Sequence, residues 1–105
     1  MIEVFKTGVI KDDVEREEAL AVIDERREYY ERLFAHTSQS PRISVRFEGA
    51  RPLIVRIMFV PASGQVAVID TPSYQSPAAA VKHAFKKLRR VAKNHFEKAK
   101  KLSRT

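Results

Sequence analysis

Three short apolar runs in the middle of the chain, joined by two tight turns, constrain its fold more than any other feature. Ile43, Val45 and Phe47 alternate with Ser44, Arg46 and Glu48, the period of two that sends successive side chains to opposite faces of a strand. Leu53 to Val60 is apolar apart from Arg56, which suits a central strand with more of its surface covered. Val66 to Ile69 supplies the next strand, and Asp70-Thr71-Pro72 is expected to stop it. Gly49-Ala50-Arg51-Pro52 and Pro61-Ala62-Ser63-Gly64 have turn composition. Connections this short make an antiparallel meander the default pairing.

The flanking segments change period. Residues 2–10 hold Ile2, Val4, Phe5, Val9 and Ile10 around Gly8 and read as a first strand, with a bulge or an end at Gly8. Asp12 with Glu15 three residues on has the form of a capping box, with Asp13 a second candidate cap. From Val14 to about His36, Ala19, Val22, Ile23, Tyr29, Tyr30, Leu33 and Phe34 recur at helical spacing and define one broad apolar face. Glu28 and Arg32 form an i,i+4 pair on the wet side, and the run from Thr37 to Pro41 ends the helix. Ser76-Pro77 opens a second helix, a serine cap before a proline in the first turn. It runs to about Leu102, with Val81, Ala84, Phe85, Leu88, Ala92, Phe96, Ala99 and Leu102 on one side. Two helices with one apolar stripe each, and a four-stranded sheet, most simply form an α+β two-layer sandwich of order β-α-β-β-β-α. Both helices then lie on one sheet face and the other face is open.

At 105 residues this is one domain, 1–105. The absence of cysteine excludes disulfides, cysteine zinc sites and cysteine nucleophiles, and suits a reducing, cytoplasmic setting. The longest apolar run, Ile57 to Ala62, is far too short to span a membrane, and the first residues lack a signal peptide's basic start. The formal net charge is +7, and it is unevenly spread. Residues 12–32 hold nine acids against four arginines, whereas residues 82–105 hold ten Lys/Arg against Glu97 alone. Such polarity suggests a polyanion for the basic end. The acidic helix must then be turned away from phosphate.

Catalytic material is sparse. His36, His83 and His95 are the only histidines and have no metal-binding spacing. The acid pairs Glu15/Glu18 and Glu25/Glu28 lie on a wet helix face, and three glycines do not make a phosphate-cradling loop. Neither an enzyme nor a cofactor is expected. Binding fits better, because phosphate contacts need only Lys and Arg on a surface of matching shape. Lys82, Lys86, Arg89, Lys93 and Lys100 share one side of the last helix, flanked by Lys87, Arg90 and Lys101. Arg46 and Arg56 on the strands are candidates to extend that surface. Base-specific readout is not expected, since the strands show no exposed aromatics of the RNA-recognition-motif kind.

The last helix carries Ala80-Val81, Ala84, Lys87-Leu88 and Arg90, then Lys93, Lys98, Lys100 and Lys101, and a strand-turn-strand run extends from Phe59 to Val66. Together with the element order, these residues resemble the short ribosome hibernation-promoting factors, the ribosome-associated inhibitor or sigma-54-modulation family. The resemblance implies a non-catalytic protein that binds small-subunit rRNA in the groove for tRNA and mRNA. It implies translation inhibition and ribosome hibernation under stress, without a membrane or a small-molecule substrate. Lys87 and Arg90 would contact rRNA phosphates with Lys86 and Lys93 beside them. With nothing after Thr105 to dimerise, the protein would be the short type, a monomer off the ribosome. Two other readings stay open. One is a protein-interaction module that docks a basic partner on the acidic first helix. The other is a double-stranded RNA-binding domain, whose last helix usually opens on lysines, where this one has Ser76 to Val81.

Overall fold

The computed structural model describes residues 2–35, 41–49, 51–61, 65–73 and 75–103, with side chains described as far as Asn94. Its elements are β1 (Ile2–Phe5), α1 (Asp13–Phe34), β2 (Arg42–Glu48), β3 (Leu53–Val60), β4 (Ala67–Ser73) and α2 (Pro77–Ser103). The strands form one four-stranded sheet in the order β1-β2-β3-β4. β1 runs parallel to β2 with α1 as the crossover, and β2, β3 and β4 form the antiparallel meander. This is the expected α+β arrangement.

Alternation decides which side chains face the helices. Ile43, Val45 and Phe47 of β2 register against Phe59, Ile57 and Val55 of β3, and all six are buried. Ile2 of β1 and Ile69 of β4 extend the same layer. Onto it α1 lowers Ala19, Val22, Ile23, Tyr30 and Phe34, and α2 lowers Ala80, Val81, Ala84, Phe85, Leu88 and Ala92, giving one continuous core. α2 lies over β3 and β4 and beside α1. The side of α1 away from α2 reaches β1, where the Arg27 guanidinium meets the Ile2 carbonyl at 3.5 Å.

Both helix starts follow their caps. The Glu15 N–H donates to Asp12 Oδ1 at 3.0 Å, and the Ala79 N–H donates to Ser76 Oγ at 3.1 Å. Each satisfies an amide that the first turn leaves without a backbone partner.

Three details differ from the sequence reading. The first strand ends at Phe5, short of the bulge or end expected at Gly8. Lys6 takes a left-handed φ of 61° and leads into a single 3-10 turn, Thr7–Val9. Ile10 is buried from that turn, so its apolar character belongs to the core and not to a strand. The fourth strand does not stop at Ile69. Asp70 registers opposite Arg56 and Pro72 opposite Ile54. β4 is an edge strand, where a proline breaks no ladder bond on its outer side, and Asp70 gains a cross-strand cation. Finally, Tyr29 and Leu33, assigned to the apolar face of α1, are 39% and 38% exposed. They sit at the margin of the stripe, beyond the cover of the sheet. The expected helix end at Thr37 to Pro41 falls largely outside the described residues, as do Ala62 to Gly64 of the second turn. Gly49, in the first turn, has a φ of +76°, and a Cβ there would meet the Pro52 carbonyl oxygen at 3.2 Å, so both conformation and space favour glycine.

Candidate nucleic-acid interface

The spacing that buries Val81, Ala84, Phe85, Leu88 and Ala92 necessarily turns the residues between them outward. Lys82, Lys86, Lys87, Arg89, Arg90 and Lys93 are all exposed along α2. Among the described residues, no carboxylate pairs with any of them: the ion pairs lie elsewhere. Lys100 and Lys101 lie on the last turns of α2, beyond the described side chains. His83 is exposed among these cations, while His36 and the side chain of His95 lie outside the description.

Three of the eight acids of α1 pair with its own arginines. Asp13 pairs with Arg16 at 2.9 Å, Asp24 with Arg27 at 2.9 Å and Glu28 with Arg32 at 2.6 Å. All are i,i+3 or i,i+4 pairs within one helix, the spacing at which helix side chains meet. No α1 carboxylate pairs with an α2 cation among the described residues, although the two helices lie side by side. Arg26 is the exception among the α1 arginines, because it has no carboxylate partner among the described residues and borders α2.

A groove of about 570 Å³ opens between the helices. Arg26 and Tyr29 of α1 form one bank, and Lys82, Lys86 and Arg89 of α2 form the other. Tyr30 and Phe85, with ring centroids 6.0 Å apart, lie deepest. Among the described residues, no carboxylate lines it. The Arg89 guanidinium stands over the Tyr29 ring, 5.7 Å from its centroid, within range of a cation–π contact. Burial pushes the Tyr30 phenol up to about 12, with Tyr29 adding to the shift while Arg26 and Arg89 pull against it. Both guanidiniums thus act on one ring from opposite helices. Four cations gathered without a counter-charge repel one another, and an anion in the groove relieves that repulsion.

Arg46 and Arg56 are not part of this surface. Both project from the sheet face that the helices leave open, on the far side of the sheet from α2. Arg56 is held by Asp70 at 2.8 and 3.2 Å and by Glu48 at 3.2 Å. Its hydrogen bond to Asp70 raises the guanidinium pKa further and holds the Asp70 carboxyl below its ordinary range. Arg46 lies 3.8 Å from Glu48 and 6.0 Å from the Phe5 ring centroid. Arg56 is thus committed to the sheet, while Arg46 has only this longer approach to a carboxylate. Phe5 also corrects the expectation that the strands expose no aromatic: it is 41% exposed on β1, on an edge strand, where alternation opposes it to buried Ile2 and half-buried Val4. A second, larger groove of about 650 Å³ near the helix starts mixes Asp12 and Glu15 with Lys11 and Arg51, and its mixed charge offers phosphate no net attraction.

Sequence reading missed Arg26 and Tyr29. The available signal was that Arg26 falls inside the apolar stripe, three and four residues from Ile23, Val22 and Tyr30. A cation in that place marks the stripe's edge. Which neighbour meets that edge is decided by the packing of α2. No family model, curated protein or solved structure matches the chain.

Proposed function

We propose that the chain is a non-catalytic RNA-binding protein that lays its helical layer, with α2 foremost, on the phosphates of structured RNA. The observation that carries this reading is the row of exposed cations on α2, from Lys82 to Lys93, continued by Arg26 and, among the described residues, unopposed by any carboxylate in the interhelical groove. Surface cations paired in place add little to binding, whereas unpaired ones release counterions when they meet phosphate. The small ribosomal subunit is the proposed target, with translation inhibition and hibernation the proposed outcome. That choice of target is supported by the β-α-β-β-β-α order and by the likeness of residues 80–101 to hibernation factors. A double-stranded RNA-binding domain is less well supported, since the first turn of α2, Pro77 to Ala80, carries no cation. The alternative, docking of a basic partner on α1, draws its support from Glu17, Glu18, Glu25 and Glu31, which are exposed and have no cation partner among the described residues.

The test is sedimentation of a stationary-phase lysate from cells that carry the protein, through a low-salt gradient. The protein is expected to move with small subunits and to be released by added salt. If it stays at the top of the gradient, the ribosomal reading is wrong.

A further inference from the structure

We infer that the groove between α1 and α2 receives a single unstacked nucleotide of the bound RNA, its base against the Tyr29–Arg89 pair and its phosphate among Arg26, Lys82 and Lys86. This deepens the RNA-binding reading and rests on it. A flat basic helix face explains duplex phosphate contacts, but it does not explain an aromatic ring left 39% exposed at the centre of the charge. Tyr29 is fixed there: its ring meets Tyr30 edge-on, with centroids 5.0 Å apart and planes at 86°. The Arg89 guanidinium, itself planar, stands over that ring at 5.7 Å. A rigid ring beside a guanidinium plane, over an apolar floor and ringed by cations, matches a nucleotide feature for feature: a flat π-face next to a phosphate. The volume of about 570 Å³ falls within the range of roughly 300–1,000 Å³ usual for small-ligand clefts. A continuous duplex keeps its bases stacked inside and has none to offer, so the occupant must be unpaired, as in a bulge, loop or strand end.

The experiment measures affinity at fixed salt for three probes: an RNA duplex of about two turns, the same duplex with one unpaired adenosine, and AMP alone. The bulged RNA is expected to bind about tenfold tighter than the paired one, the scale of one base stacking on an aromatic ring. Tyr29→Ala and Tyr29→Leu should each erase that difference, and Tyr29→Phe should keep it. The leucine variant retains apolar bulk without a ring, so a packing defect and loss of stacking are told apart. Equal affinity for the bulged and paired RNAs, with both bound, overturns the groove assignment and leaves the RNA-binding reading standing. Failure to bind either RNA overturns both. Tight binding of AMP without binding of the bulged RNA reassigns the groove to a free nucleotide and overturns the inference.

Discussion

At the scale of single residues, the sheet carries one unsatisfied polar group and one resolved one. Thr71 is 3% exposed, faces the helices from β4, and its hydroxyl finds no hydrogen-bond partner among the described residues. A buried hydroxyl without a partner keeps its desolvation penalty. Thr71→Val, which replaces the hydroxyl with a methyl of similar shape, should therefore stabilise the fold by about 1 kcal/mol, read as a higher urea midpoint with an unchanged slope. A lower midpoint would mean that the hydroxyl is satisfied in solution. Arg56 is the resolved case. A lone arginine in the apolar run from Leu53 to Val60 reads as either a ligand contact or a structural ion pair. Its two bonds to Asp70 and its contact with Glu48 make it the second.

At the scale of elements, α2 does two jobs on one periodicity. Its apolar stripe closes the core over β3 and β4, and its remaining surface presents the cations. Charge reversal on that outer surface should separate the two. Lys86→Glu combined with Arg89→Glu is expected to weaken RNA binding at least about tenfold at ~0.1 M salt and to flatten its salt dependence. The thermal melt should stay close to wild type, because both side chains are exposed. Arg46→Gln, on the opposite face of the sheet, should leave RNA affinity within about twofold, since a rim charge outside the contact releases no counterion. If the two variants behave alike, the helical layer is not the binding surface. α1 contributes differently. Among the described residues none of its acids lines the groove, so it can lie beside α2 without quenching the cations there, and it lends Arg26 and Tyr29 to the shared groove.

At the scale of the whole molecule, the groove and the core are coupled through Tyr30. Its ring belongs to the core, 2% exposed and packed near Phe34 and Phe85, yet it also forms the floor of the basic groove. Burial raises its phenol to about 12, above the ordinary value near 10. A group whose folded pKa is raised contributes stability that is complete below the unfolded value and is lost as pH climbs through the folded one. The fold should therefore be insensitive to Tyr30 at neutral pH and lose stability between about pH 10 and 12. Far-UV circular dichroism followed with phenolate absorbance should show ionisation of Tyr30 together with loss of helix. In Tyr30→Phe that step should vanish from the absorbance, and the alkaline loss of stability should shrink. A wild-type helix signal that persists after all tyrosines have ionised would contradict the assignment.

Much of this molecule was legible because its signals are periodic and local. Alternation in Ile43, Val45 and Phe47 specified which face of β2 is buried, and the three- and four-residue spacing of Val81, Ala84, Phe85 and Leu88 specified which side of α2 faces solvent. Ser76 and Asp12 marked the helix starts, because a cap acts on amides three residues away. Element order, the two-layer arrangement and the cationic face of α2 follow from such short-range rules. Pairing across the chain does not. Asp70 and Pro72 look like a stop in isolation, and only registration against Arg56 and Ile54 on an edge strand turns them into strand. Arg46 and Arg56 look like additions to the basic surface until the layers are assembled and place them on the opposite side. The groove itself has no sequence signature, since Arg26 and Tyr29 are separated from Lys82 and Arg89 by more than fifty residues. Periodicity fixes which side chains leave the core; only the packing of one helix against the other decides which of them meet.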